Sequence, residues 1–199
     1  MTTVDDMDYE FRTARPEDAA TIEALDGSFT TRTIFHVAVS EGGFALREVP
    51  VDPPIHKVFP AEEADDGDSE GGGESDGDGP TDEEDPNSRT FVAVGADGGL
   101  AGFAAVSYVP WNRRLTIEDI EVAPTHRGQG VGRTLVGHAV EFARERGAGH
   151  LWLEVTNINA PAIHAYRRMG FAFCGLDTTL YNGTPSLGEY ALYMSMPCP

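Results

Sequence analysis

The segment THRGQGVGRTL, from Thr125 to Leu135, places three glycines within five residues, with an arginine on either side. The segment Leu115–Ala123 precedes it, and its pattern predicts a strand that Pro124 ends. From residue 131 onward, apolar residues recur at intervals of three and four, which predicts a helix up to about Arg146. The fold therefore depends on a glycine-rich turn between a strand and a helix.

A turn of this kind is suited to binding an anion. The start of a helix presents unpaired N–H groups and a partial positive charge, and glycines let a ligand approach the backbone closely. We expect the N–H groups of residues 128–133 to hold a pyrophosphate, with Arg127 adding positive charge at the edge. The spacing GxGxG differs from that of dinucleotide folds, and the lysine-containing P-loop motif is absent from the sequence. On these residues alone, a turn without a ligand is the alternative.

The chain has 199 residues, of which 40% are hydrophobic, and this is enough to form one core. Its net charge is −19, and the segment 61–88 contains thirteen of the 33 acidic residues and no basic residue. That composition is typical of a disordered linker. We therefore predict a single domain, residues 1–199, with an acidic disordered insertion at 61–88.

The composition also argues against several classes of protein. An acidic chain lacks the basic surface that binds nucleic acid, and no apolar run approaches the ~18 residues of a membrane span. The acidic N-terminus is unlike a secretory signal, so we expect a cytoplasmic protein. Cys174 and Cys198 have no metal-ligand spacing, and neither a disulfide nor a metal site is expected.

The rest of the sequence alternates between strand and helix patterns. Strands are expected at 9–14, 44–51, 90–94, 100–109 and 151–156, helices at 16–28 and 159–169, and a closing antiparallel pair at 171–181 and 189–196. This order predicts an α/β fold around a mixed sheet.

Two motifs together resemble the signatures of the GNAT superfamily of N-acetyltransferases. They are R-x-x-G-x-G at 127–132 and N-x-x-A-x-x-x-Y-x-x-x-G-F at 159–171. The resemblance implies the GNAT fold, an α/β structure whose mixed, mostly antiparallel central sheet is flanked by helices and has splayed central strands. It also implies acetyl-CoA as co-substrate, an amine as acceptor, and no metal. Within the superfamily, the segments SRTFVAVGADG and WNRRLTIEDIEVAP resemble enzymes that acetylate a small polycationic antibiotic.

The resemblance places the acetyl-CoA site in the glycine turn and at the ends of the elements beside it. The residues that it implies are Val122, Ala123, Arg127, Gly128, Gln129, Gly130, Val131, Gly132, Arg133 and Asn159. Asn159 has an alternative role as the ordinary N-cap of its helix.

Acetyl transfer to an alkylammonium calls for a base. An amine with a pKa near ~10.4 is ~3.4 units from its neutral form at pH 7, which costs about 4.6 kcal/mol. Glu154 is our candidate, because it shares a strand face with Trp152, whose bulk would exclude water. It precedes Tyr166 by twelve residues, a spacing similar to that in GNAT enzymes that acetylate the N-terminal amine of a ribosomal protein. A solvated carboxylate is the alternative.

Tyr166 is the candidate acid. A phenol with a pKa of ~10 can protonate the departing thiolate of coenzyme A. The resemblance assigns this role to this position, and packing in the core is the alternative.

Acidic residues also crowd the strand before the glycine turn. The alternation of apolar and polar residues fails near Glu118, which predicts a bulge there. In the superfamily this strand diverges from the next one, and the gap admits acetyl-CoA. We expect Glu118 and Asp119 to bind charges of a polycationic substrate that do not react, with a solvated strand face as the alternative.

Two other functions fit the same motifs. One is acetylation of a protein N-terminus or of another polyamine, and the other is binding of acetyl-CoA without catalysis. The sequence leaves the oligomeric state open, with a homodimer among the options.

Overall fold

A computed structural model describes residues 9–59 and 85–198. Within those ranges the chain forms nine strands and three α-helices. In chain order they are β1 (Glu10–Thr13), α1 (Ala19–Glu23), β2 (Phe29–Ser40), β3 (Gly43–Lys57), β4 (Ser88–Val94), β5 (Leu100–Val109), β6 (Arg114–Val122), α2 (Val131–Arg146), β7 (His150–Thr156), α3 (Ala160–Met169), β8 (Ala172–Asp177) and β9 (Ala191–Pro197).

Seven strands form one sheet in the order β1-β4-β5-β6-β7-β9-β8, and β2 pairs with β3 in a separate ribbon. Neighbours in the sheet are antiparallel except for β6 and β7, which are parallel. Helix α2 supplies the crossover that two parallel strands require. The expected architecture, a mixed and mostly antiparallel sheet flanked by helices, is confirmed.

Strands β6 and β7 are paired only over their first residues. The register joins Arg114–Ile117 to His150–Leu153 and ends there, although both strands continue further. Beyond this point, within the described chain, β6 pairs with β5 and β7 pairs with β9. The two strands therefore diverge and open a gap in the middle of the sheet, as expected.

A bulge at Glu118 accompanies this divergence. Ile117 and Asp119 lie opposite consecutive residues of β5, so that Glu118 is an extra residue on β6. The bulge shifts the alternation of side chains, which leaves Glu118 and Asp119 both exposed. Ile120 then packs against the core. The predicted bulge is confirmed at the expected residue.

Helix α2 packs across β4, β5 and β6. Its buried side chains recur every three or four positions, as the sequence predicts for a helix with one apolar face. They are Val131, Leu135, Val136, Ala139, Phe142 and Ala143. Burial of each large side chain among them contributes about 1.5–3 kcal/mol. This packing fixes the start of α2, and with it the glycine turn, at the end of β6.

The region before β4 differs from the prediction. The expected helix at 16–28 is wrong in its second half, because α1 ends at Glu23. The Asp26 carboxylate accepts the N–H of Ser28 at 2.9 Å and closes a local turn that competes with a helix. Strand β2 is missing from the prediction, and β3 is longer than the strand expected at 44–51.

Asn157 fastens the ribbon of β2 and β3 to the sheet. Its side-chain Nδ2 donates to the carbonyl of Phe35, and its own carbonyl accepts the N–H of Phe35, both at 2.9 Å. Its Oδ1 accepts the N–H of Tyr190 at 2.8 Å. Because Asn157 directly follows β7, the ribbon lies beside the diverging end of that strand.

Most of the predicted acidic insertion, 61–84, lies outside the described residues. The structure describes its last four residues, of which Ser88 begins β4 and donates its N–H to the carbonyl of Asp85 at 2.9 Å. In the part of the chain that the structure describes, no helix combines the length and apolar character of a membrane span.

A substitution at Gly102 of β5 tests whether β5 and β6 need their close backbone approach beside the gap. A Cβ added to Gly102 would lie 2.6 Å from the carbonyl oxygen of Glu121, so we expect Gly102→Ala to lower the free energy of unfolding by about 1–3 kcal/mol. Gly137→Ala is the control, because a Cβ at that position of α2 meets no atom within 4 Å. Alanine there stabilises a helix by up to about 1 kcal/mol. Denaturant unfolding measures both changes, and equal stability of the two variants would contradict the prediction.

Candidate active site

The glycine turn fits a ligand that lies against the backbone. Gly128 and Gly130 adopt φ values of 77° and 91°, in the region that favours glycine. A Cβ added at either position would meet no atom within 4 Å, so the turn faces open space. Gly130 is the N-cap of α2, and the first N–H groups of the helix are exposed there. The turn therefore has the form that a pyrophosphate requires.

The three residues that follow Gly130 contribute in different ways. Val131 is buried, so that only its backbone is available to a ligand. A Cβ at Gly132 would lie 3.5 Å from the Val122 side chain, which brings the helix close to the end of β6. Arg133 borders a cavity of about 230 Å³ between α2 and α3, together with Arg168.

Arg127 ties the turn to two other segments. Its Nε donates to the carbonyl of Val122 at 2.8 Å, and one Nη donates to the carbonyl of Ser28 at 2.6 Å. The guanidinium therefore places a positive charge beside the turn, as expected. It also braces the end of β6 against the loop that precedes β2.

Gln129 braces the turn from the other side. Its Nε2 donates to the carbonyl of Thr125 at 2.8 Å, and its Oε1 accepts the hydroxyl of Tyr9 at 2.7 Å. The Tyr9 oxygen also lies 3.0 Å from Nδ1 of His126. Both polar groups of the Gln129 side chain thus form hydrogen bonds within the protein. We therefore expect Gln129 to contact a ligand through its backbone N–H. Tyr9 was not predicted, because nothing in its local sequence connects it to the turn.

Val122 and Ala123 differ in whether their backbone N–H and C=O groups are available to a ligand in the gap. Ala123 donates its N–H to the carbonyl of Ala101 at 3.0 Å and accepts the N–H of His126 at 2.9 Å, so both of its backbone groups are engaged. In an antiparallel ladder the backbone groups of successive residues point to opposite sides. Those of Val122 therefore point away from β5. Because its carbonyl accepts Nε of Arg127, its N–H is the group left for a ligand in the gap.

Tyr166 lies on α3, whose start and end agree with the sequence. Asn159 is the N-cap, and its Oδ1 accepts the N–H of Ala162 at 3.2 Å. The structure thus shows the capping role that was the alternative for Asn159. The Tyr166 ring packs edge-on against Phe171, with ring centroids 5.9 Å apart.

The buried Tyr166 phenol is within electrostatic range of two acidic residues, one on each of the diverging strands. Burial raises the pKa of this phenol, and the negative charges of Asp119 on β6 and Glu154 on β7 raise it further. The phenol is therefore protonated throughout the neutral range and can act as a proton donor. The structure thus brings together three of the predicted residues, Asp119, Glu154 and Tyr166, at the gap.

Glu154 shares a face of β7 with Trp152, as expected from their spacing. It lies opposite Tyr193 of β9, and the Trp152 and Tyr193 ring centroids are 4.8 Å apart. Burial raises the pKa of Glu154 above its usual range, and the charge of Glu189 adds to that effect. A hydrogen bond from the Tyr181 hydroxyl to Oε1 of Glu154 opposes it. Glu154 is therefore a partly desolvated carboxylate rather than a solvated one.

Two of the acidic residues of β6 are exposed just after its pairing with β7 ends. Glu118 is exposed and accepts a hydrogen bond from the Ser107 hydroxyl. Asp119 is exposed too and acts on both Tyr166 and Glu121 through its charge. These positions suit contacts with a cationic ligand outside the reacting centre.

Glu121 was not assigned a role from the sequence. It is half-buried, and burial together with the charge of Asp119 raises its pKa to about 7, although Arg127 opposes the shift. A side chain at Gly27 would overlap its carboxylate. The loop before β2 therefore closes directly onto Glu121. The sequence shows the glutamate but not this contact, which joins residues far apart in the chain.

A second group of polar residues lies between the ribbon and β9, and the sequence did not predict it. The Thr156 hydroxyl donates to Oε2 of Glu189 at 2.5 Å. Lys57 of β3 forms an ion pair with Oε1 of Glu189 and donates to the Ser186 hydroxyl at 2.8 Å. Among the described residues there is no cluster of histidine, cysteine and acidic side chains that could hold a metal.

The sequence and the fold are both similar to those of known acetyltransferases. The model of the acetyltransferase (GNAT) family matches residues 57–171. A streptothricin acetyltransferase of Streptomyces lavendulae is 71% identical over the full length of both chains. A streptothricin acetyltransferase of Escherichia coli is 30% identical over 89% of this chain and 90% of its own. The crystal structure of a nourseothricin acetyltransferase superposes with a TM-score of 0.83 at 65% identity, covering 96% of this chain and 99% of its own.

Proposed function

The chain belongs to the GNAT family of acetyltransferases, and on that premise we propose that it acetylates the β-lysine moiety of streptothricin and thereby confers resistance. It is an N-acetyltransferase that uses acetyl-CoA as donor. The acceptor is inferred from the full-length similarity to the Streptomyces lavendulae enzyme. The observation that carries the mechanism is that the buried phenol of Tyr166 interacts electrostatically with Asp119 on β6 and Glu154 on β7, the two strands that diverge.

The glycine turn and the gap together form the donor site. Acetyl-CoA supplies an acetyl group activated as a thioester. The N–H groups of residues 128–133 hold its pyrophosphate, and Val122 offers its backbone N–H to the pantetheine arm. Arg127 adds positive charge beside the phosphates while it keeps the turn in place.

Glu154 and Tyr166 divide the proton transfers between them. Glu154 accepts a proton from the substrate amine, and the amine nitrogen bonds to the thioester carbon. The carbon–sulfur bond breaks, and Tyr166 gives its proton to the departing sulfur. The products are the acetamide and coenzyme A. The nitrogen loses its second proton to Tyr166, which restores the phenol, and the proton held by Glu154 passes to solvent.

The exposed carboxylates of Glu118 and Asp119 would favour an acceptor that carries several positive charges. Glu118 and Asp119 bind charges of the substrate that do not react, since a carboxylate beside the reacting amine would raise the amine's pKa and oppose its deprotonation. Both residues are exposed on β6, across the gap from Glu154. We place the protein in the cytoplasm, where its free thiols Cys174 and Cys198 would stay reduced.

The proposal is tested by incubating the purified protein with labelled acetyl-CoA and a panel of amines. The panel contains streptothricin, spermidine, an aminoglycoside and a peptide with a free N-terminus. We expect transfer to streptothricin, with mass spectrometry locating the label on its β-lysine. Transfer of the acetyl group to another amine, and not to streptothricin, would show that streptothricin is not the substrate. Binding of acetyl-CoA in calorimetry without transfer to any of them would support a module without catalysis.

We predict that Tyr166→Phe lowers kcat by roughly 10²-fold, because the thiolate then leaves without a proton donor. The dissociation constant for acetyl-CoA should change little. Tyr108→Phe is the matched control, since Tyr108 lies opposite Leu115 at the paired end of β6, away from the gap. Steady-state kinetics and calorimetry provide both quantities. An unchanged kcat would exclude Tyr166 as the acid.

We predict that Glu154→Gln makes the rate depend on the amine that is already neutral in solution. That fraction rises about tenfold per pH unit below the amine pKa of ~10.4. The rate loss should therefore be largest at low pH, roughly 10²-fold near neutrality, and should shrink as the pH rises. The measurement is kcat/KM as a function of pH for both proteins. Identical profiles would assign deprotonation to water or to another group.

A further inference from the structure

Tyr181 reaches the active site from the loop that joins β8 to β9. Its hydroxyl donates a hydrogen bond to Oε1 of Glu154, which lies far from it in the sequence. Burial raises the pKa of Tyr181, and the carboxylate of Glu154 raises it further, so the phenol is a donor throughout the range in which the enzyme would work. The bond occupies one oxygen of Glu154.

Both ends of this loop are fastened to the rest of the protein. At its start, Oδ1 of Asp177 accepts the N–H and the hydroxyl of Thr179, each at 2.7 Å. At its end, Lys57 forms the ion pair with Glu189, and the two side chains are only 12% and 13% exposed. The loop therefore holds Tyr181 in place against Glu154 and does not simply cover it.

The neighbouring carboxylates Glu154 and Glu189 have different partners. Glu189 forms an ion pair with Lys57, and its second oxygen accepts the Thr156 hydroxyl. Glu154 is held by a neutral phenol. A phenol fixes the direction of a carboxylate without cancelling its charge. Glu154 is thus the member of the pair that can still accept a proton.

We propose that Tyr181 is a positioning residue for the acetylation reaction, which fixes the Glu154 carboxylate through Oε1 so that its other oxygen can receive the proton of the acceptor amine. This inference rests on the proposed role of Glu154 as the base. Tyr181 does not contact the acetyl group and acts only through Glu154.

The groups around Glu154 determine whether its pKa rises or falls when the Tyr181 hydroxyl is removed. Glu189 faces it from the loop and Tyr166 from α3, while Tyr193 lies opposite it on β9. Burial and the charge of Glu189 favour the protonated carboxyl, and the Tyr181 hydrogen bond favours the carboxylate. Removing that hydroxyl must therefore raise the pKa of Glu154. Less of the base is then ionised at neutral pH.

The first experiment compares Tyr181→Phe with Tyr193→Phe, which removes a hydroxyl from a tyrosine beside Glu154 on β9. The acid limb of kcat/KM for streptothricin should move up by about one pH unit in Tyr181→Phe. The rate at neutral pH should fall by up to about tenfold and approach the parent value at high pH. Tyr193→Phe should keep the parent profile. An unmoved acid limb in Tyr181→Phe would overturn the proposal.

A second measurement separates this inference from the proposed base role. Carbon-13 NMR of labelled glutamate carboxyls, with Glu154→Gln to assign the signal, reports the pKa of Glu154 directly. A higher pKa in Tyr181→Phe supports the inference, and an unchanged pKa overturns it. The proposed role of Glu154 as the base is contradicted by a different result, namely an unchanged pH profile of kcat/KM in Glu154→Gln.

Incorporation of 3-fluorotyrosine at 181 tests the proposal without removing the side chain. Fluorine makes the phenol a stronger hydrogen-bond donor, so the pKa of Glu154 and the acid limb should both move down. A purely structural role for Tyr181 would not produce opposite shifts in the two variants. Shifts in the same direction would overturn the proposal even if Tyr181→Phe folds poorly.

Discussion

The divergence of β6 and β7 after Ile117 and Leu153 is the constraint on which the rest of the structure depends. Two parallel strands that remained paired would leave no backbone groups free in the middle of the sheet. The divergence frees them and also separates β6, which carries Asp119, from β7, which carries Glu154. The proposed donor site and the proposed proton-transfer groups therefore both depend on the point where strand pairing ends.

The packing around the gap keeps it from closing. The bulge at Glu118 changes the direction of β6 where pairing ends. On the other side, Asn157 bonds β7 to the ribbon, so that β7 is held away from β6. Arg127 ties the end of β6 to the loop before β2. These polar contacts come from segments distant in the chain, and each fixes one wall of the cleft.

The sequence predicted the elements whose signals are local. The turn, α2, α3 and the bulge follow from glycine spacing, apolar periodicity and failed alternation within short windows. Strand β2 was not predicted, and the expected helix was extended too far, over Asp26–Ser28. The contacts of Tyr9 and Tyr181 could not be predicted, since each joins a loop residue to a site more than twenty positions away.

A cleft of carboxylates must attract a polycation and still let one of its amines lose a proton. These demands conflict, because a carboxylate beside an ammonium raises that ammonium's pKa. In this fold Lys57 forms an ion pair with Glu189, while Glu118 and Asp119 lie on β6 and Glu154 lies on β7. Burial raises the pKa of Glu154, which brings its proton affinity closer to that of the amine. The divergence of the strands thus separates the carboxylates that we propose bind the substrate from the one that we propose takes its proton.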